Sequence, residues 1–227
     1  TTGSNNTGIG QNALTANTTG YQNTAIGSLA LDANTTGIIN AAIGYSALGA
    51  NTGGTGNAAI GFAALSGVTN GDNNTGLGRN AGDGITTGGN NTVVGFNAQA
   101  SSATVSNEIT LGDPNITSLR CADTSISSLS DRRDKTDIVD LPVGLDFINS
   151  LLPRQFKWQT REGVPSKDGT VRAGFIAQEL QEAQKGLEYL DLVMEENPEK
   201  LEAKQGKLIP VLVKAIQELS VKVKALE

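Results

Sequence analysis

The sequence predicts two regions of different fold class. The N-terminal half is predicted to be mainly β, a 17-residue-repeat solenoid or β-roll, and the C-terminal part an α+β domain that ends in a coiled-coil helix. Three observations carry this prediction: a Gly/Asn/Thr-rich repeat of constant length, an abrupt change to ordinary charged patterning after Asp113-Pro114, and a C-terminal heptad pattern. We place a repeat shaft at 1–112, a connector at 113–129 and the C-terminal domain at 130–227.

The repeat is visible as one Asn track, two Gly tracks and one aliphatic track with the same period. Constant spacing of this kind is typical of stacked coils, in which no coil can bury its apolar face alone. The aliphatic track comprises Ile9, Ile26, Ile43, Ile60, Leu77, Val94 and Leu111, each followed by Gly. Two Gly-marked turns per repeat leave room for two short strands, so we interpret each repeat as one coil.

We expect Ile26-type and Leu31-type side chains to stack inward as aliphatic ladders. The glycines are expected to supply positive φ at turns, and Asn and Thr to satisfy turn backbone groups while stacking along the axis. The alternative is a disordered low-complexity linker, which the composition alone would allow. A linker has no physical reason to keep an aliphatic residue at one phase through seven repeats.

Composition excludes several classes of function. The chain has a net charge of −6, and residues 1–120 hold two bases against five acids, so no basic surface for nucleic acid is expected. No apolar run approaches the ~20 residues of a membrane-spanning helix, and we expect no membrane insertion. One cysteine, Cys121, and no histidine exclude an internal disulfide and His-based triads. We expect Cys121 to be a buried small hydrophobe, and we expect no metal and no cofactor.

The C-terminal region has ordinary globular patterning. "PVGLDFINSL" (142–151) and "AQELQEAQKG" (177–186) are predicted helices, whereas "RQFKWQT" and "TVRAGFIA" are predicted strands. The last helix carries an a/d seam that should associate with copies of itself: Ile209, Leu212, Ile216, Leu219, Val223 and Leu226. By a/d preference alone, this seam favours two strands.

The stretch "LSDRRDKTDI" (129–138) holds a serine five residues before a lysine. A serine nucleophile needs a base, and without histidine Lys135 is the local candidate, provided that burial or nearby cations keep it neutral. Arg132 and Arg133 would lower the pKa of Lys135, and Asp131 would raise it, as would other nearby acids. Five residues along a helix would separate the two side chains, so they can meet only through a turn or across a chain interface. The alternative is that Ser130 caps a helix and Lys135 is a solvated charge.

The segments "LSDRRDKTDI", "GLDFINSLLPRQFKW", "AGFIAQELQ" and "LIPVLVKAIQEL", in this order, resemble the intramolecular chaperone of endosialidase family. The resemblance runs from Leu129 to the end of the chain. It implies a domain that helps a preceding β-rich shaft to trimerise and then cuts the chain at its own N-terminal boundary. Ser130 then matches the nucleophile and Lys135 the general base. The implied cut is at Leu129-Ser130, with Ser130-Asp131 as the second choice.

The repeats resemble the heads of trimeric autotransporter adhesins and Gly/Asn-rich repeats of phage tail fibres, which implies a trimeric β-roll. The chain begins in phase with the repeat, so we expect a C-terminal fragment of a longer shaft. The combined expectation is the end of a phage tail fibre or spike in the virion, assembled in the host cytoplasm as a homotrimer and binding a host-cell receptor through the fibre. The alternative is a bacterial trimeric surface adhesin whose C-terminal domain trimerises without cleaving.

Overall fold

The computed structural model describes residues 3–122, 128, 130–159 and 169–226. These residues divide into two compact units, 3–117 and 118–226, each of which is described by itself. The predicted three-part division at 112 and 129 stays a prediction.

The first unit is a parallel β-solenoid, as the repeat predicts. Its sheet has seven strands in chain order, and each strand pairs in parallel with the next at an offset of 17 residues, as in Ile26 with Ile43. Seven stacked strands define about six turns. The strands are β1 (Thr7–Ile9), β2 (Thr24–Ile26), β3 (Ala41–Ile43), β4 (Ala58–Ile60), β5 (Thr75–Leu77), β6 (Thr92–Val94) and β7 (Ile109–Leu111).

Each coil contains one strand, so the expectation of two short strands per repeat was wrong. The rest of a coil consists of turns and bends in the described structure. The reason lies in the backbone: residues at three positions of a coil adopt left-handed φ, as shown by Leu29 (59°), Leu31 (49°) and Ile39 (59°). A left-handed residue interrupts an extended segment, and the residues between these positions form turns and bends rather than a second strand.

The solenoid core confirms the Leu31-type positions and contradicts the Ile26-type positions. Leu31 and Leu48 are fully buried, whereas Ile26 and Ile43 are 37% and 40% exposed. Side chains alternate across a strand, so Ile43 points outward because Ala42 points inward. The inward position has little room: a Cβ on Gly76, which occupies it in β5, would lie 2.7 Å from Leu65 Cγ.

Buried Asn side chains connect the coils, as expected from the sequence. Asn23 Nδ2 donates to the Gly37 carbonyl (2.8 Å), and Asn23 Oδ1 accepts from the backbone N–H of Asn40 (2.9 Å). The same pair of bonds recurs in the next coils, through Asn40 and Asn57. Each buried amide therefore satisfies backbone groups that would otherwise be costly to bury.

Glycine is required in the two Gly tracks for different physical reasons. Gly44 has φ +136°, a conformation that side chains rarely adopt, as expected for a turn glycine. Gly54, in the second track, has no positive φ, so the expectation was wrong there. Its requirement is close approach, because a Cβ would lie 2.4 Å from the Gly71 carbonyl oxygen.

The second unit is α+β. It contains α1 (Leu145–Ser150), β8 (Arg154–Phe156), β9 (Arg172–Gly174), α2 (Ala177–Ala183), β10 (Val193–Met194), β11 (Glu202–Ala203) and α3 (Ile209–Lys224). β8 pairs antiparallel with β9, and β10 with β11. Leu180, Leu192 and Val211 are among the most buried side chains of its core, which α1 and α3 help to enclose.

Helix α3 has two apolar sides. Val211 and Ala215 are buried, on the side that packs on α1. The predicted seam is exposed instead, between 43% for Leu212 and 88% for Leu226. No helix among the described residues is long and apolar enough to cross a membrane. Cys121 is exposed, so its expected burial was wrong.

Candidate functional site

A short turn at residues 131–135 shapes the candidate site. Arg132–Asp134 form a single 3-10 turn, and Asp131 is its N-cap, because its carboxylate accepts from the backbone N–H of Arg133 (2.8 Å). The cap is therefore Asp131, one residue after the serine considered as a helix cap in the sequence analysis. The N–H of Lys135 closes the turn on the Arg132 carbonyl (3.2 Å).

This turn brings Ser130 and Lys135 together within one chain. Lys135 Nζ donates to Ser130 Oγ over 2.6 Å, although the residues are five apart. Lys135 has extended backbone angles (φ −127°, ψ 140°), so its side chain can return across the turn toward Ser130. Of the two routes that the spacing left open, a turn or a neighbouring chain, the described chain uses the turn.

The charged residues of the turn pair with one another. The Arg133 guanidinium lies 2.6 Å from the Asp131 carboxylate, and this hydrogen-bonded pair lowers the pKa of Asp131 and raises the pKa of Arg133. Asp131 and Arg133 were both considered as modulators of Lys135. Because their opposite charges are paired, their electrostatic fields largely cancel beyond the pair. Both side chains are solvent-accessible, and such exposed pairs contribute little to stability.

The site is open to water. Ser130 and Lys135 are both exposed, and the lysine is the donor in their hydrogen bond. A lysine serves as a general base only in its neutral form, which burial or neighbouring cations favour. The geometry therefore places a hydroxyl in contact with an amine, both of them exposed to water.

The predicted scissile bond involves a residue that the structure does not describe. Leu129 lies outside the described residues, so the bond Leu129-Ser130 carries no geometry here. The second choice, Ser130-Asp131, joins two described and exposed residues at the start of the turn.

Sequence reasoning missed two charged contacts in the second unit. Arg154 of β8 makes a bidentate ion pair with Glu179 of α2, at 2.6 to 3.1 Å, which lowers the pKa of Glu179. Glu218 of α3 accepts from the backbone N–H of Leu145 (2.8 Å) and so caps α1. One feature of the sequence indicated that α1 needs a cap from elsewhere in the chain. No Ser, Thr, Asp or Asn stands just before Leu145, so the helix lacks a local capping side chain.

Within the described part of the chain, no three or more His, Cys, Asp or Glu side chains are placed to hold a metal ion. The chemistry available at the site is that of a hydroxyl beside an amine. Ser130 and Lys135 supply those two groups.

Comparison with known proteins finds a similarity in one region of the chain. Residues 130–189 match the family model described as chaperone of endosialidase, a family of self-cleaving chaperone domains. The match covers 60 of 227 residues, begins at Ser130 and ends before β10, so it does not include α3. No curated protein and no solved structure matches the chain.

Proposed function

We propose, from the match of residues 130–189 to the chaperone of endosialidase family, that the C-terminal unit assists folding and homotrimerisation of the solenoid and then cuts the chain at its own boundary. The observation that carries the cleavage is the 2.6 Å contact between Lys135 Nζ and Ser130 Oγ. The family match begins at this same serine, which supports a cut that leaves the chaperone domain whole.

The proposed reaction is a serine attack on the preceding peptide bond. Ser130 Oγ bonds to the carbonyl carbon of Leu129 while neutral Lys135 Nζ takes the hydroxyl proton. The C–N bond then breaks, and the amide nitrogen of Ser130 leaves as an amine with the proton returned by Lys135. Water hydrolyses the resulting ester, which frees the Ser130 hydroxyl and a carboxylate on Leu129. Each chain undergoes this reaction once.

Assembly is proposed to switch the reaction on. Ser130 and Lys135 are exposed in the single chain, and their hydrogen bond has the lysine as donor. Covering the turn with neighbouring chains would remove water from the amine and favour its neutral form. An unassembled chain would then keep its chaperone domain, whereas an assembled one would lose it.

The homotrimer is proposed to form in part through α3. Its exposed side carries five of the six seam residues at alternating spacings of three and four, and Leu226 follows just beyond its end. An exposed apolar stripe of this length is typical of a helix that packs on copies of itself. The a/d preference favours two strands, so the trimeric state rests on the resemblances of the chaperone domain and the repeats.

In this proposal the molecule is the C-terminal part of a phage tail fibre or spike. The family match of residues 130–189 and the solenoid of stacked, similar coils support this assignment. The fibre would be part of the virion, would assemble in the host cytoplasm and would reach a host-cell receptor through its shaft.

The test is expression of the full chain beside Ser130→Ala and Lys135→Ala, followed by denaturing gels. The wild-type should give pieces of 129 and 98 residues, from a cut after position 129 of 227, while both variants stay whole. Ser128→Ala and Lys157→Ala are matched controls, because both residues are exposed and lie outside the turn. They should be cut like the wild-type.

A further variant tests whether Lys135 acts as a base or only contacts Ser130. Lys135→Arg keeps the positive charge and a donor for Ser130 Oγ, but a guanidinium does not lose its proton in proteins. Cleavage should therefore be lost in Lys135→Arg. If this variant is cut at the wild-type rate, Lys135 only positions the serine and the proposed base is wrong.

The exposure of the site also favours a second candidate function. A lysine that remains charged in the assembled protein would leave Ser130 unactivated, and the C-terminal unit would then be a non-cleaving trimerisation module, as in a bacterial surface adhesin. An assembled wild-type chain that stays whole would establish this alternative.

A further inference from the structure

The solenoid carries an apolar surface that its own fold leaves uncovered. We define the outer aliphatic ladder as the last residue of each strand, β1 to β7: Ile9, Ile26, Ile43, Ile60, Leu77, Val94 and Leu111. Six of these side chains are 37% to 59% exposed, and Val94 is half-buried. The ladder was expected inside the solenoid, and its position outside needs a different physical reason.

Strands β2, β3 and β4 each place an alanine inside and an isoleucine outside. Ala25, Ala42 and Ala59 are fully buried, whereas the neighbouring isoleucines face outward. A solenoid that is monomeric in water would be expected to have polar residues on the outer face of its strands. The aliphatic residue nevertheless recurs in all seven strands.

A second row flanks the ladder two residues farther along four successive coils, at Tyr45, Phe62, Arg79 and Phe96, whereas the coils before and after them have polar residues at this position. Tyr45 stacks on Phe62 with ring centroids 5.1 Å apart, and the Arg79 guanidinium lies over the rings of both Phe62 and Phe96. All four side chains are exposed. The row therefore extends the apolar surface, and its one cation is already held by rings of its own chain.

From these observations we infer that the outer aliphatic ladder is the surface through which copies of this chain contact each other along the shaft. The inference rests on the proposed homotrimer and names the surface that forms it. The occupant is a second copy of the chain, and three features of the surface favour that occupant over another protein.

The first feature is register. The strands pair without offset, so the ladder repeats at the inter-strand spacing of ~4.8 Å over six steps, about 29 Å in all. A parallel copy has the same spacing and the same residue type at every level. Each isoleucine can then meet its own counterpart through the whole length of the solenoid.

The second feature is charge. The ladder contains no charged residue, so contact between the ladders of two parallel copies places no like charges opposite one another. Arg79 of the flanking row is held over the rings of Phe62 and Phe96 in its own chain. The acids of this region, such as Asp32, Asp72 and Asp83, occupy other positions of the coil.

The third feature is size. The largest apolar patch of a typical monomer is ~300–600 Å², and stable interfaces cover about 800 Å² per partner. Seven aliphatic side chains and three rings, each about half exposed, form one strip that grows with every added coil. A strip of this kind is typical of a subunit interface rather than of a small ligand site.

The test uses the full chain with Cys121→Ser, to remove the natural thiol, and Ser130→Ala, to keep the chain whole. Ile43→Cys is introduced in this background, and Thr36→Cys serves as the matched control because Thr36 is exposed at another position of the coil. Leu219→Cys marks the α3 seam. Mild oxidation should convert most of the Ile43→Cys chain into covalent dimers and leave Thr36→Cys unlinked.

The native mass of the same samples distinguishes failure of the ladder interface from failure of the proposed trimerisation. A trimer in which Leu219→Cys links and Ile43→Cys does not would overturn the shaft interface and leave the proposed trimerisation intact. A monomer in which no variant links would overturn both. Equal linking of Ile43→Cys and Thr36→Cys would also contradict a specific interface at the ladder.

Discussion

In the solenoid each coil packs on near-copies of itself, whereas in the C-terminal unit each contact joins residues of unrelated sequence. Asn23, Asn40 and Asn57 repeat one hydrogen-bond pattern through successive coils. By contrast, the cap of α1 by Glu218 joins positions 73 residues apart and has no counterpart elsewhere in the described unit. The shaft therefore distributes its stability over equivalent contacts, while the C-terminal unit depends on a few single ones.

The largest expected effect comes from breaking one step of the Asn row. Asn57→Ala would leave the carbonyl of Gly71 and the N–H of Asn74 without their side-chain partners inside the solenoid. Two buried unpaired groups at ~1–3 kcal/mol each give a loss of about 4 kcal/mol. Hydrogen exchange should rise in the coils around Asn57 and stay unchanged in α3.

Asn70→Ala is the matched control for this prediction. Asn70 is exposed and accepts one side-chain hydrogen bond, from Thr52, so its loss should change stability by less than about 0.5 kcal/mol. Equal exchange in the two variants would contradict the role given to the buried row.

A smaller effect is expected from removing the single cap in the C-terminal unit. Glu218→Ala removes the acceptor for the Leu145 N–H and should destabilise that unit by ~1 kcal/mol, the usual value of an N-terminal cap. Urea unfolding followed through Trp158 fluorescence would measure it. Gln217→Ala, on an exposed position of the same helix, should leave the midpoint unchanged.

The smallest effect concerns pH. The Arg154 ion pair lowers the pKa of Glu179 below its ordinary 4.5, and Lys204 and Lys207 lower that of Asp191 below 3.8. A lowered folded-state pKa stabilises at pH above the ordinary value, and this contribution is lost as pH falls through the folded pKa. The C-terminal unit should therefore weaken below about pH 4.5, but only slightly, since both carboxylates are half-buried at the surface and remain in contact with water.

The solenoid provides the internal comparison for the pH prediction. The repeated side-chain bonds between its coils come from Asn amides and Thr hydroxyls, which do not titrate. Carboxylates add single contacts to these rows, as where Asp72 accepts from the Thr55 N–H. Acid should thus lower the unfolding temperature of the C-terminal unit more than that of the solenoid. Equal shifts of both transitions would show that the ion pairs do not set the difference.

Much of the architecture could be predicted from the sequence, because a period of 17 residues specifies stacked coils. The period could not decide which of two neighbouring residues faces inward. Ala42 and Ile43 are both apolar, and the choice depends on the space beside Leu65-type side chains across the coil. That distance is a property of the folded coil, so the orientation of Ile43 was predicted wrongly.

The candidate site shows a similar limit. The pair Ser130 and Lys135 could be chosen from the sequence, and their spacing required a turn or a second chain. The turn depends on the Asp131 carboxylate, which caps it and also holds Arg133. From the sequence, Asp131 and Arg133 were expected to act on Lys135 in opposite directions. Their pairing with each other could not be predicted, because it depends on the backbone geometry of the turn.

The central claim is that Ser130 and Lys135 cut the chain between positions 129 and 130. Intact-mass spectrometry of the freshly purified, assembled full chain tests it most directly, because the masses of the products identify the broken bond. The claim predicts two species, residues 1–129 and a piece with a free amino group on Ser130. A single species with the uncut mass of 23.4 kDa in the assembled protein would contradict it.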